Sequence, residues 1–185
     1  MRDKLGNENT GLCYFTPMKI LSATITLCLL AFSHSINAQD CKLQKTTDDF
    51  SGQPKLTTGF IDLQGVKLSI DATSKEVDYF FVINNPMANC MGDRSEATFL
   101  FEGGKQKLEL KNTGGDNCNG FFHIAMRSGQ YTPTAMNRLS TKKVISITFS
   151  DRNGKLTAIS LTPQQQDLLM QLTACMAKEA KTLPR

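Results

Sequence analysis

Residues 144–161 read VISITFSDRNGKLTAISL, and the fold is decided by how that stretch is read. Apolar and polar residues alternate on both sides of Asp151-Arg152-Asn153-Gly154-Lys155. That two-residue period belongs to strands with one wet face. Between the two arms, Asn153-Gly154 supplies the positive φ angles of a hairpin turn. Folding the arms together sets Ile145, Ile147 and Phe149 against Leu161, Ile159 and Thr157 on one face. Thr162-Pro163-Gln164-Gln165 follows directly. Thr162 can cap a helix, Pro163 needs no donor at the first helical position, and Gln165 can complete a capping box. Leu168, Leu169, Leu172, Cys175 and Met176 then recur at helical spacing, so a C-terminal helix is expected to lay one apolar stripe on a sheet.

The same alternation runs upstream. Val66, Leu68, Ile70 and Ala72 alternate with Lys67, Ser69 and Asp71. Val77 to Ile83 and Phe121 to Met126 are apolar on both faces and read as central strands. Ala97 to Glu102 and Lys105 to Lys111 flank Gly103-Gly104, which suits a tight turn with Phe99 facing Leu108 and Ala97 facing Leu110. Lys105, Lys107, Glu109 and Lys111 share one side, as on a solvated face near a sheet edge. A further strand is expected over about 56–63 and a short one near 41–45. Thr132-Pro133 opens a short helix that ends near Leu139. The polar stretches 84–95 and 112–120 read as long loops. The expected fold is mainly β: an antiparallel sheet or β-sandwich built of hairpins, with a short helix and a C-terminal α-helix packed on the sheet.

Residues 1–38 read as a leader and signal peptide. Ile20 to Phe32 is 13 residues long and uncharged, with Lys19 just before it and a polar stretch ending at Ala38 behind it. This is too short to span a bilayer comfortably but suits the apolar core of a cleavable signal. Met18 reads as a natural start, with 1–17 an extended leader or upstream sequence; the alternative is a single uncut anchor. Cys41 lies past the expected cut, not at the first mature position a lipid anchor requires. The remainder, 39–185, reads as a single exported β-rich domain, secreted or periplasmic, with no integral membrane segment after cleavage. The polar C-terminal helix argues against an outer-membrane barrel. The leader carries Arg2, Lys4 and Lys19 against Asp3 and Glu8, so cleavage lowers the net charge from +4 to +3. No basic block or basic helix face appears, and nucleic acid is not an expected partner.

Of six cysteines, Cys13 and Cys28 leave with the leader, and Cys41, Cys90, Cys118 and Cys175 stay. An even number in an exported chain reads as two disulfides with three possible connectivities. The hairpin around Gly103-Gly104 brings Cys90 and Cys118 to within one residue of being opposite, at its open end. Cys90–Cys118 is therefore the expected bridge there, leaving Cys41–Cys175 to tie the first mature residues to the last helix. Loops of these lengths imply ~3–5 kcal/mol each.

Cys41, then Asp49-Phe50-Ser51-Gly52, hairpins, Lys143-Val144-Ile145-Ser146-Ile147, and the run from Leu161 to Met176 follow one another in an order that spans most of the mature chain. In this the chain resembles a loose group of small exported bacterial β-rich proteins of unassigned activity. The resemblance implies export and a β fold, and it assigns no functional residue.

Chemistry-bearing patterns are few. His123 is the lone mature histidine and reads as a packed or surface strand residue. There is no nucleophile elbow, no zinc signature and no phosphate loop. Asp48-Asp49, and Asp71 with Glu76 and Asp78, read as solvated charges; a calcium site or a hydrolase pair is the alternative. The phenylalanines read as core, and without tryptophan a sugar platform has little to use. No catalytic residue, metal or cofactor is expected. The expected recognition surface is the pair of loops pinned by Cys90–Cys118, with Asn89, Asp93, Arg94, Asp116, Asn117 and Asn119 as its polar members, because a bridge pre-orders a loop. The function expected is a non-enzymatic exported domain binding a protein partner or a small ligand. The alternatives are a hydrolase whose site forms only in three dimensions and a protease-inhibitor-like module. A carboxylate within reach of His123 in a buried cleft would favour the hydrolase.

Overall fold

The computed structural model describes residues 41–49, 51–83, 90–127 and 132–184. Within them lie β1 (Gln44–Thr47), β2 (Pro54–Thr57), β3 (Ile61–Leu63), β4 (Val66–Ala72), β5 (Glu76–Ile83), β6 (Glu96–Phe101) and β7 (Lys107–Lys111). After these come β8 (Phe121–Arg127), α1 (Thr132–Thr141), β9 (Val144–Ser150), β10 (Leu156–Ser160) and α2 (Pro163–Glu179), with a 3-10 turn at Ala180–Thr182. One antiparallel sheet runs β1-β2-β4-β5-β8, with β3 also beside β4; the other runs β10-β9-β6-β7. The inner faces meet through aromatic rings. Phe81 on β5 lies 5.1 Å from Phe149 on β9, and Phe122 on β8 lies 5.4 Å from the same ring. The fold is thus mainly β, in two sheets, and both helices pack on them.

Both hairpins take the register that their patterns predict. Phe99 pairs with Leu108 and Ala97 with Leu110, while Thr157 pairs with Phe149 and Ile159 with Ile147. Gly103, Gly104 and Gly154 hold positive φ in the turns. Asp151 reaches over its own turn, its Oδ1 accepting the N–H groups of Asn153 and Lys155 at 2.8 Å. The Thr162 cap forms with its reciprocal Gln165 bond. α2 then packs on β4 and β9, one strand from each sheet, and α1 packs on α2. Arg138 of α1 stands 4.8 Å over the Phe101 ring and donates to the Lys107 carbonyl.

The structure corrects four details. The strand expected over 56–63 is two strands with a one-residue offset between them, because Thr58 replaces a ladder acceptor: its Oγ1 accepts the Ile70 N–H at 2.9 Å. The first strand starts at Gln44 and not at Cys41. Leu168 is 38% exposed, and the buried face of α2 is Leu169, Thr173 and Met176. β5 is central, but β8 is an edge strand. Its free edge is covered by the segment after β7: Thr113 donates its N–H to the His123 carbonyl, and Asn112 Oδ1 accepts the His123 N–H. Covering an edge this way blocks further strand addition.

Both expected disulfides are present, Cys41–Cys175 and Cys90–Cys118. Two such bonds fit an oxidising compartment. Among the described residues no helix is long and apolar enough to cross a membrane.

Candidate functional site

The described parts of the two loops expected to form the recognition surface, 90–95 and 112–120, meet at the Cys90–Cys118 bridge. Beside the Cys90–Cys118 bridge, Met91 and Asn117 exchange both backbone hydrogen bonds, at 2.7 and 3.0 Å. Asn117 then spends its side chain inward. Its Nδ2 donates to the Gly115 and Phe121 carbonyls, and its Oδ1 accepts the Asn119 and Phe121 N–H groups. Asn112 is buried and welds the loops from below, donating to the Gly92 and Gly114 carbonyls. Gly120 has φ +74°, and a Cβ there would lie 2.4 Å from the Ile83 carbonyl oxygen, so only glycine fits. Asp93, Arg94, Asp116 and Asn119 are exposed; Asn89 lies outside the described residues. The bridge therefore sits in a rigid corner whose asparagines mostly serve its own backbone.

A second constellation joins His123 to carboxylates that read in the sequence as solvated charges and are instead paired and mostly buried. The outer face of the larger sheet carries Asp71, Asp78, Phe80, Phe121 and His123. His123 Nε2 lies 3.0 Å from Asp78 Oδ2. Asp71 is directly opposite Asp78 in the register, a like-charge pairing that costs stability unless each is offset. Asp71 is offset by Lys55 at 3.2 Å and by the Thr57 and Ser69 hydroxyls; Asp78 is offset by His123 at Oδ2 only, and its buried Oδ1 has no hydrogen-bond partner among the described residues. Phe80 packs on His123 at 5.2 Å, on Phe121 at 5.4 Å and on Phe60 at 6.1 Å. Phe60 is 58% exposed and Phe121 40%, so these rings are not core as their strand patterns suggested. A strand that is apolar on both faces gives no signal of which rings point out.

The Asp78 hydrogen bond raises the His123 pKa, half-burial opposes it, and the charges of Asp78, Glu76 and Asp71 add to the rise. The folded pKa is above the unfolded value of about 6.5, so this stabilisation is full below that value and is lost as pH rises through the folded pKa. Both groups are partly exposed, which limits the gain to about 1 kcal/mol or less. Urea midpoints of His123→Gln should therefore fall less than those of wild type as pH rises above about 6.5. Parallel curves would show the imidazole to be uncoupled from folding. The pair orients an imidazole, yet no serine, threonine or cysteine side chain hydrogen-bonds that ring among the described residues. It lies on the outer face of the sheet with 35% of its side chain exposed.

The third feature is a cleft of about 620 Å³ bounded by the β4–β5 turn, β8, α1 and the segment ending α2. Its floor is Val77, Met126 and Met136, all buried. Ala177 and Leu183 add apolar wall, and the exposed Lys75 and Lys181 stand at its rim. Behind Met136 the Tyr79 hydroxyl bonds Thr173 at 2.8 Å and donates to the Met136 sulfur at 3.9 Å. Burial pushes the Tyr79 phenol well above its ordinary range, with the Thr173 bond pulling the other way. Tyr79 therefore stays protonated and fixes the Met136 wall from behind. A second cavity of similar volume lies by Phe101, Gln106 and Met170, but its Lys142 and Lys143 already bond Gln106 and Asp167. No sequence motif marks the first cleft, because its walls come from four separated segments, none of which carries a signal of its own.

Among the described residues no three His, Cys, Asp or Glu side chains gather as a metal site. Comparison with family models, curated proteins and solved structures finds no match to this chain.

Proposed function

We propose that this chain is an exported, disulfide-braced binding domain that holds a small ligand in the cleft floored by Val77, Met126 and Met136. The signal-like segment at 18–38 and the two oxidised cysteine pairs support a secreted or periplasmic site of action. The cleft itself is the observation that carries the reading. Its volume of about 620 Å³ falls in the range of small-molecule sites, which are mostly apolar with a few polar groups at hand. The pinned loops support the scaffold more than the ligand, because Asn117 and Asn112 are occupied with backbone groups.

The full chain, expressed with its leader and purified without denaturant from its own cell envelope, should carry a co-purifying molecule of a few hundred daltons by native mass spectrometry. Ala177→Phe, which places a ring against the cleft wall, should strip that mass while leaving the thermal midpoint within a few degrees. A bare polypeptide mass for the wild type, or a retained adduct in the filled variant, would remove the cleft from consideration.

A further inference from the structure

The class of ligand can be read from the distribution of charge around the cleft, and this step rests on the cleft being the binding site. We propose that the cleft takes a single-chain amphiphile with an anionic head, its apolar body on Val77, Met126, Met136 and Leu183 and its head between Lys75 and Lys181. The two lysines arrive from distant parts of the chain, one on the β4–β5 turn and one on the 3-10 turn after α2. Neither ammonium has an ion-pair or hydrogen-bond partner among the described residues. Among the described residues Glu76 is the one carboxylate lining the cleft, and Arg127 holds it at 3.0 Å. The rim therefore carries uncompensated positive charge above an apolar floor, the complement of an anion joined to a hydrocarbon. Methionines suit such a floor, because their flexible thioethers adapt to chains and rings of varied shape. Ser74 at the same edge adds a hydroxyl for a carboxylate or sulfate oxygen.

The test uses dodecanoate, dodecan-1-ol and dodecyltrimethylammonium, each below its micellar concentration, competing against 11-(dansylamino)undecanoate on the full mature chain. The protein has no tryptophan, so the dye reports without interference. Dodecanoate should displace the dye at ~10-fold lower concentration than dodecan-1-ol, a difference of about 1.4 kcal/mol, and dodecyltrimethylammonium should be weakest. Lys75→Glu with Lys181→Glu should weaken the anionic dye as well, so this variant is read by direct calorimetric titration, where the order should be abolished or inverted while the Kd of dodecan-1-ol is unchanged. Lys67→Glu, an exposed lysine outside the cleft, should leave the order intact. Equal binding of acid and alcohol, untouched by the double reversal, would overturn the head-group assignment and leave the cleft reading standing. Failure of the dye and all three probes to bind would overturn the amphiphile assignment, while the cleft reading itself stands or falls with the native mass measurement. Binding to phosphatidylglycerol vesicles with none to dodecanoate would replace a captured single molecule by a membrane surface.

Discussion

Replacing Cys41 and Cys175 together by alanine is expected to cost about 5 kcal/mol, the larger of the two disulfide losses. The bond spans a sequence separation of 134, against 28 for Cys90–Cys118. The entropy of the unfolded chain that each removes grows with the logarithm of loop length, which puts the shorter bridge near ~3.5 kcal/mol. A domain of this size has on the order of 5–15 kcal/mol in all, so the long bridge alone can decide whether it is folded at body temperature. Other ties at this end are weak. All of β1 is exposed and pairs only with β2, so little burial holds the first residues in place. The far partner, Cys175, sits two positions before Ala177 of the cleft wall. Losing the bond should therefore lower the urea midpoint and loosen the ligand cleft together, while the Cys90–Cys118 corner persists. A midpoint loss below about 1 kcal/mol would mean that the reduced unfolded chain is already compact, and the entropic account would fail.

Much of this architecture is legible in the sequence, for reasons that also mark where legibility stops. The hairpins at 97–111 and 144–161 declare themselves because one face of each is wet, so the period and the register are both visible. The cysteine pairing followed from that register to within one residue: Met91 and Asn117 bridge next to the thiols, one position off the pairing to which the hairpin register extrapolates. β5 and β8 lacked a wet face, and there the alternation fell silent. The outward Phe80 and Phe121 and the inward Phe81 and Phe122 are indistinguishable by pattern. The edge position of β8 was hidden because Asn112 and Thr113, loop residues by composition, complete its ladder. Thr173 offered no sign that it would be buried, since its partner Tyr79 lies 94 positions away. The cleft was illegible for the same reason, being made by distances between segments and not by any one of them.

Phe81→Ala should lower stability by about 4 kcal/mol, the usual scale for emptying a large buried aromatic site. The ring is fully buried and touches both sheets, lying 5.1 Å from Phe149 and 6.4 Å from Phe99 and from Phe122. Its loss removes apolar burial and three tilted or edge-on ring contacts at the place where the sheets are joined. Phe121→Ala makes the same chemical change on the neighbouring strand's outer face, where 40% of the residue already meets water. That variant should lose about 1 kcal/mol, chiefly its packing on Phe80. Urea unfolding of the two variants, with unchanged slopes, measures the difference directly. Side chains on a strand alternate with a period of two, so a register slip of one residue would exchange the two faces. The reverse order, with Phe121→Ala the costlier change, would mean that the inner and outer rings have been assigned to the wrong sides of the sheet. The cleft floor of Val77 and Met126, set by the same register, would then turn outward with them.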